Sequence, residues 1–315
     1  MRPIDHFELP PDKEQVLRSA RSLERWTIVY LLGASAVVGL TMGGSQAMRT
    51  SFFEDLISIV PAMMFLICTR IARRKPTATF PYGFHGAVSI GYLTASLALF
   101  GMGVFLLIEA LIKMIAVERT TIGGMTLAGN TIWAGWPMIA AILATVGPSI
   151  LLGRKKLELA PQVHDKILFA DAQMMKADWV TATATAVGVL GVGLGFWWVD
   201  PVAAALVSLS ILKDGVDNIG IAVGDLIERR PMKTDQSGPE PLADVLRECI
   251  EKLDWVASAS VRLREVGHVF FGEVFVRPRG TPSDLPTKIR RAVETARALN
   301  WRLHDVTVTV MDERQ

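Results

Sequence analysis

A bundle of six transmembrane helices followed by a small α+β ferredoxin-like domain is the fold class this sequence predicts. Three observations predict it. The 315-residue chain is 50% apolar and only 20% charged. Six apolar runs are each long enough to cross roughly 30 Å of hydrocarbon. After Arg229, Arg230 and Pro231 the character of the sequence changes to that of a soluble domain. This balance is too apolar for an ordinary soluble enzyme of the same length, and it excludes a disordered chain. The 33 Lys and Arg against 31 Asp and Glu leave a formal charge of +2, which predicts no nucleic-acid partner. Cys68 and Cys249 sit in unlike surroundings, so neither a disulfide framework nor a Cys-x-x-Cys motif is available.

Taken in order, residues 1–25 carry Arg2, Lys13, Arg18, Arg21 and Arg25 among acids and prolines and read as an N-terminal tail. No apolar stretch precedes Trp26, so the first run is a retained span and no cleaved signal peptide is expected. The candidate spans lie near 26–46, 51–72, 87–115, 132–152, 170–197 and 200–222, giving a membrane domain over 26–230. The sixth run carries Lys213, Asp214 and Asp217, which predicts a helix that outlasts the bilayer. Basic residues cluster in the tail, after the second span (Arg70, Arg73, Arg74, Lys75) and after the fourth (Arg154, Lys155, Lys156, Lys166). The opposite connections offer little beyond Arg49 and Arg119, so both termini are expected in the cytoplasm, beneath an inner (plasma) membrane.

A linker rich in Pro, Gly, Ser and charge covers 231–241, and 242–315 form the soluble domain. Its periodicity predicts a helix near 241–253, strands near 256–266 and 269–277, a helix near 284–299 and a strand near 304–311. The order αββαβ suits a ferredoxin-like sheet with helices on one face. The chain holds no Walker-type phosphate loop, His-Glu-x-x-His run or nucleophile–base pair, so neither an ATP-driven pump nor a membrane enzyme is expected. A gradient is left as the driving force.

Ionisable groups inside a span are costly and mark a bundle interior or a wet cavity. On the fifth run, Asp171, Met174 and Asp178 are spaced by three and four residues and share one face, which Thr181 and Thr185 continue. Such a face suits a cation path; the alternatives are an interfacial N-cap for Asp171 and backbone bonding for the threonines. On the second run, Glu54 and Ser58 form an i, i+4 pair, Asp55 lies about 100° away, and Pro61 deprives the Ile57 carbonyl of its donor.

These residues resemble the cation diffusion facilitator family of divalent-metal/proton antiporters. The resemblance covers most of the chain. It rests on Pro81-Tyr82-Gly83-Phe84-His85-Gly86 opening span three, Ala170-Asp171-Ala172 running to Asp178, Asp200-Pro201 at span six, Glu228-Arg229-Arg230-Pro231 at the membrane exit, and Arg264-x-x-Gly267 leading into a Glu273 strand. The resemblance implies a homodimer in the lipid bilayer, a transport site between spans two and five, and metal export in exchange for protons. It places the four metal positions at Glu54, Ser58, Met174 and Asp178, where the family usually has three carboxylates and one His or Asp. Only Asp178 matches outright. Asp55, Asp171 and His85 are auxiliary candidates for metal or proton. The alternatives are a packing role for Met174, a helix-dipole role for Glu54 and a hydrogen-bonded loop role for His85.

No prosthetic group is implied. The transported ion stays open among Zn, Fe, Mn and Co, because a thioether favours soft ions while carboxylates and a hydroxyl favour hard ones. The soluble domain lacks the metal-binding histidines usual in relatives, so packing-driven dimerisation is expected. The other reading is a non-transporting or regulatory member of the same fold acting as a partner subunit.

Overall fold

The computed structural model describes residues 4–41, 46–116, 124–127, 130–133, 135–196, 198–280 and 283–311. Arg2 and Arg119 lie outside the described residues, as do the side chains of Arg49 and Asp200. Six long helices come first: α1 (Pro11–Thr41), α2 (Gln46–Ala72), α3 (Gly86–Ile115), α4 (Gly135–Val163), α5 (Lys166–Gly193) and α6 (Val199–Leu226). α3 lies along α6, α4 along α5 and α1 against α2, while α2 also touches α3 and α5. Where α3 and α6 approach most closely, a Cβ on Gly215 would stand 2.7 Å from Phe100 Cα, so the glycine is what lets the two backbones pass. Leu97, Ile108, Leu143, Leu151, Leu206 and Leu209 are half or more exposed on the outside of the bundle, an apolar surface suited to hydrocarbon.

Among the described residues, two helical stretches are long and apolar enough to cross a membrane, Glu54–Ala72 and Gly86–Ile115. The other expected spans are helical without passing that test. α5 carries Asp171, Lys176 and Asp178 within its run, and α6 carries Lys213, Asp214 and Asp217, which dilutes their apolar character.

Several boundaries differ from the sequence reading. α1 begins at Pro11, and Leu17 and Ala20 on this extension are buried with Phe65, Tyr92 and Ile167, so much of the expected tail is packed helix. α4 starts at Gly135 because the residues before it pair as a hairpin of β1 (Gly124–Leu127) and β2 (Asn130–Trp133). The expected basic connection after the fourth span is helix as well: α4 runs to Val163, and only His164 and Asp165 separate it from α5. Asp165 caps α5, its Oδ1 accepting from Leu168 N–H at 2.8 Å.

The soluble domain follows as α7 (Leu242–Glu251), β3 (Val256–Val266), β4 (Val269–Pro278), α8 (Leu285–Leu299) and β5 (Leu303–Val310). β4 is central, antiparallel to β3 and parallel to β5. Its Phe270, Val274 and Val276 share a core with Leu246 and Ile250 of α7 and Ala292 of α8. On the opposite face Glu273 and Arg277 are exposed, whereas Phe271 is covered by the rings of Tyr82 and His304.

The tip of the β3–β4 hairpin lodges against the membrane bundle. Gly267, at φ +65°, donates its N–H to Ser89 Oγ at 3.1 Å, and a Cβ there would come within 2.5 Å of the His85 carbonyl oxygen. Next to it, His268 Nε2 lies 2.5 Å from Asp165 Oδ2. Lys166 reaches both Asp225 of α6 at 2.6 Å and Glu265 of β3 at 2.8 Å. The linker adds a polar tie, since Gln236 donates to Asn218 Oδ1 at 2.5 Å and to Tyr92 Oη at 3.0 Å.

Candidate metal centre

The seam between α2 and α5 holds the one direct contact among the expected ligands. Ser58 Oγ, fully buried, donates to Asp178 Oδ1 at 2.8 Å. The other oxygen, Asp178 Oδ2, is buried without a hydrogen-bond partner. Leaving a carboxylate oxygen in that state is expensive, and an ionised carboxylate only accepts, so a cation or a proton is what satisfies it.

Glu54 and Asp55, a turn before Ser58 on α2, have different electrostatic neighbours. Asp55 and Asp178 both act electrostatically on Tyr30 of α1, whose hydroxyl donates to the Thr145 carbonyl at 3.0 Å. Glu54 is within reach of Glu109 and Lys113 on α3, themselves ion-paired at 2.8 Å. Asp178 feels the charge of both acids. Among the described residues, no three His, Cys, Asp or Glu side chains come close enough together to hold a metal ion.

Met174 is fully buried in an apolar cluster with Leu99 and Met102 of α3 and Ile211 of α6. That environment is the packing alternative for its thioether. Thr185 takes its backbone alternative, donating to the Thr181 carbonyl at 2.9 Å. Lys176 points outward, 3.6 Å from Asp214.

Asp171 is neither a free reserve carboxylate nor a helix cap. Lys156 of α4 approaches its Oδ2 at 2.7 Å and Glu24 Oε2 of α1 at 3.1 Å, and all three side chains are sealed from solvent. The ammonium already occupies the place where an auxiliary cation would bind.

His85 stands at the start of α3 against the soluble domain, away from the α2–α5 seam. Its ring packs on Phe7 and on His304, with centroids 5.7 and 5.4 Å away. Burial pushes its imidazole down to about 3, helped by His304, His268 and His6 nearby, so it is a neutral packing group at physiological pH. Burial lowers His304 too. His164 and His268 are buried in this junction too. His164 contacts Thr234 Oγ1 at 2.9 Å and Glu265 Oε1 at 3.2 Å. Burial alone would raise Glu265, but His164 and Lys166 beside it hold it below the usual carboxylate range.

Sequence reading missed Tyr30, Glu24 and Lys156. Glu24 was nonetheless marked by its register: Leu17, Ala20, Glu24, Thr27, Leu31 and Ser35 fall on one stripe of α1, and all are buried. Lys156 lies on the buried stripe of α4 that continues through Ala160 and Val163.

Residues 26–227, more than half of the chain, match the family model described as the cation efflux transmembrane domain. The chain belongs to the cation diffusion facilitator family. Curated relatives include an uncharacterized transporter of Bacillus subtilis, YdbO, 30% identical over 185 residues that cover 58% of this chain and 60% of the relative. The manganese efflux system protein MneS of the same organism is 26% identical over 175 residues, 55% of this chain and 56% of its own length. The magnetosome protein MamM of Paramagnetospirillum magneticum is 27% identical over 186 residues, 58% of this chain and 54% of its own. This cation diffusion facilitator thus spans well under two thirds of each of these three relatives.

Proposed function

We propose that this cation diffusion facilitator exports a divalent transition-metal cation from the cytoplasm in exchange for protons. In this reading α1 to α6 all cross the inner membrane, both termini face the cytoplasm, and the chain works as a homodimer. The observation that carries the proposal is the Ser58–Asp178 pair between α2 and α5, with a buried carboxylate oxygen left without a partner.

Asp178 is the principal ligand and proton carrier, and Ser58 orients it. Glu54 and Asp55 close on the ion as further carboxylate donors, and Met174 forms the apolar wall beneath. A set dominated by oxygen favours Mn²⁺ or Fe²⁺ over softer ions, and a relative named for manganese efflux supports that choice. Metal and protons compete for the same carboxylates, which supplies an exchange mechanism without a histidine.

Purified protein in proteoliposomes under an imposed pH gradient tests the reading. Mn²⁺ or Fe²⁺ uptake with counterflow of protons is expected, and Asp178→Asn is expected to abolish both. Retained exchange in that variant removes Asp178 from the mechanism. The absence of three converging His, Cys, Asp or Glu groups among the described residues favours a second reading, a non-transporting partner subunit. Silence of the wild type in vesicles is the outcome that selects it.

A further inference from the structure

The Glu24–Lys156–Asp171 cluster has a charge count that does not close. Three helices, α1, α4 and α5, each contribute one ionisable side chain to a space with no solvent exposure. Lys156 Nζ sits 2.7 Å from Asp171 Oδ2 and 3.1 Å from Glu24 Oε2. Two carboxylates share one ammonium, so the fully ionised cluster would carry a net negative charge in a medium that stabilises it poorly. Both Glu24 oxygens and Asp171 Oδ1 lack a hydrogen-bond partner, so acceptors outnumber donors as well. One added proton corrects both deficits: it neutralises the surplus charge and provides an O–H to donate between the two carboxyl groups.

No other cation is placed to do this. Among the described residues of the adjoining turns, Arg25, Arg154, Lys155 and Lys176 are exposed, and the half-buried Arg21 is directed to the Thr69 carbonyl at 3.4 Å. The further charge facing the cluster is Asp178, itself an acid.

We propose that Glu24, Lys156 and Asp171 form a single-proton binding site, separate from the metal centre, that supplies a further exchanged proton beside the one carried by Asp178. The inference rests on the transport reading above for its role in exchange, though not for its occupancy. Loading adds one proton to a carboxylate of the pair and takes the cluster from net negative to neutral; unloading reverses that step, with no other bond made or broken.

Asp171 and Asp178 are seven residues apart, about two turns or ~10 Å along α5, and fall on nearly the same face. A divalent ion on Asp178 therefore repels the proton on the cluster, and a proton there opposes the ion. That mutual exclusion is what an exchanger requires.

Infrared spectroscopy of the full-length protein in lipid tests the occupancy by counting protonated carboxyl groups from their C=O stretch at neutral pH. Glu24→Gln and Asp171→Asn are each expected to lose one carboxyl's intensity relative to wild type, and the double variant to lose no more than either. No loss in the single variants, or a further loss in the double variant, overturns the single-proton assignment. The second variant keeps the test decisive if the first fails to fold. In proteoliposomes Glu24→Gln is expected to move fewer protons per metal ion; an unchanged ratio overturns the role in exchange. If the wild type carries no metal, the transport reading fails while the infrared count still decides whether the site exists.

Discussion

Two carboxylates on the same helix and nearly the same face meet opposite fates. Asp171 is sealed against Lys156, a cation supplied by the chain itself. Asp178, two turns further along α5, has only a serine hydroxyl and an oxygen without a partner. The difference teaches that an acid inside a membrane bundle is not in itself a transport ligand. What distinguishes the two is whether the opposing charge is tethered or must arrive from outside. A third solution stands at the junction of the bundle with the C-terminal domain, where His85 meets burial by giving up its proton.

The sharpest way to break this comparison is to remove the tethered charge. Lys156→Met leaves Glu24 and Asp171 buried without their cation, and a destabilisation of about 3–5 kcal/mol is expected in denaturation of the purified protein. Asp178→Asn in the same assay is expected to be far milder, because no partner cation is stranded. Equal losses would erase the distinction between the two acids.

His85 sharpens the third solution. Its folded value of about 3 lies below the ordinary histidine value near 6.5, so the unfolded chain binds the proton first as pH falls. Stability is therefore whole above about pH 6.5 and lost as pH drops toward 3, at up to ~1.4 kcal/mol per pH unit for one proton. His85→Gln is expected to flatten that slope between pH 6 and 4, and an unchanged slope would exclude His85 as its source. The smallest effect is expected at the open site. Ser58→Ala removes a hydrogen bond to a buried carboxylate and should weaken metal binding about tenfold, near 1.4 kcal/mol, and lower stability by about 1–3 kcal/mol.

The soluble domain was legible to within a residue or two, because its short apolar runs, such as Val269 to Val276, are bounded by turn residues such as Gly267 and Pro278. The helical cores of the bundle were legible from their apolar runs. The extent of α1 and α4 was not, since charge-rich turns look like tail and loop until partners cover one face of them. Lys156 and Lys166 read as topology markers in a basic connection, yet both are buried in ion pairs. Their partners lie far away in sequence: Glu24 precedes Lys156 by 132 residues, and Glu265 follows Lys166 by 99. At the candidate metal centre, helix spacing put Glu54 with Ser58 and Met174 with Asp178 on shared faces, and the family resemblance implied that the two faces meet. Which neighbours face Glu54 and Asp55 depends on how α1 and α3 pack, which no local pattern records.

The hairpin tip at Gly267 pins the N-terminal end of α5 through His268 and Asp165. A rod held at one end swings in proportion to distance from the pin. Asp171 lies about 9 Å from Asp165 along the axis and Asp178 about 20 Å. Any tilt of α5 about that anchor therefore carries Asp178 roughly twice as far as Asp171, so the farther acid can change its surroundings while the nearer one stays close to its lysine.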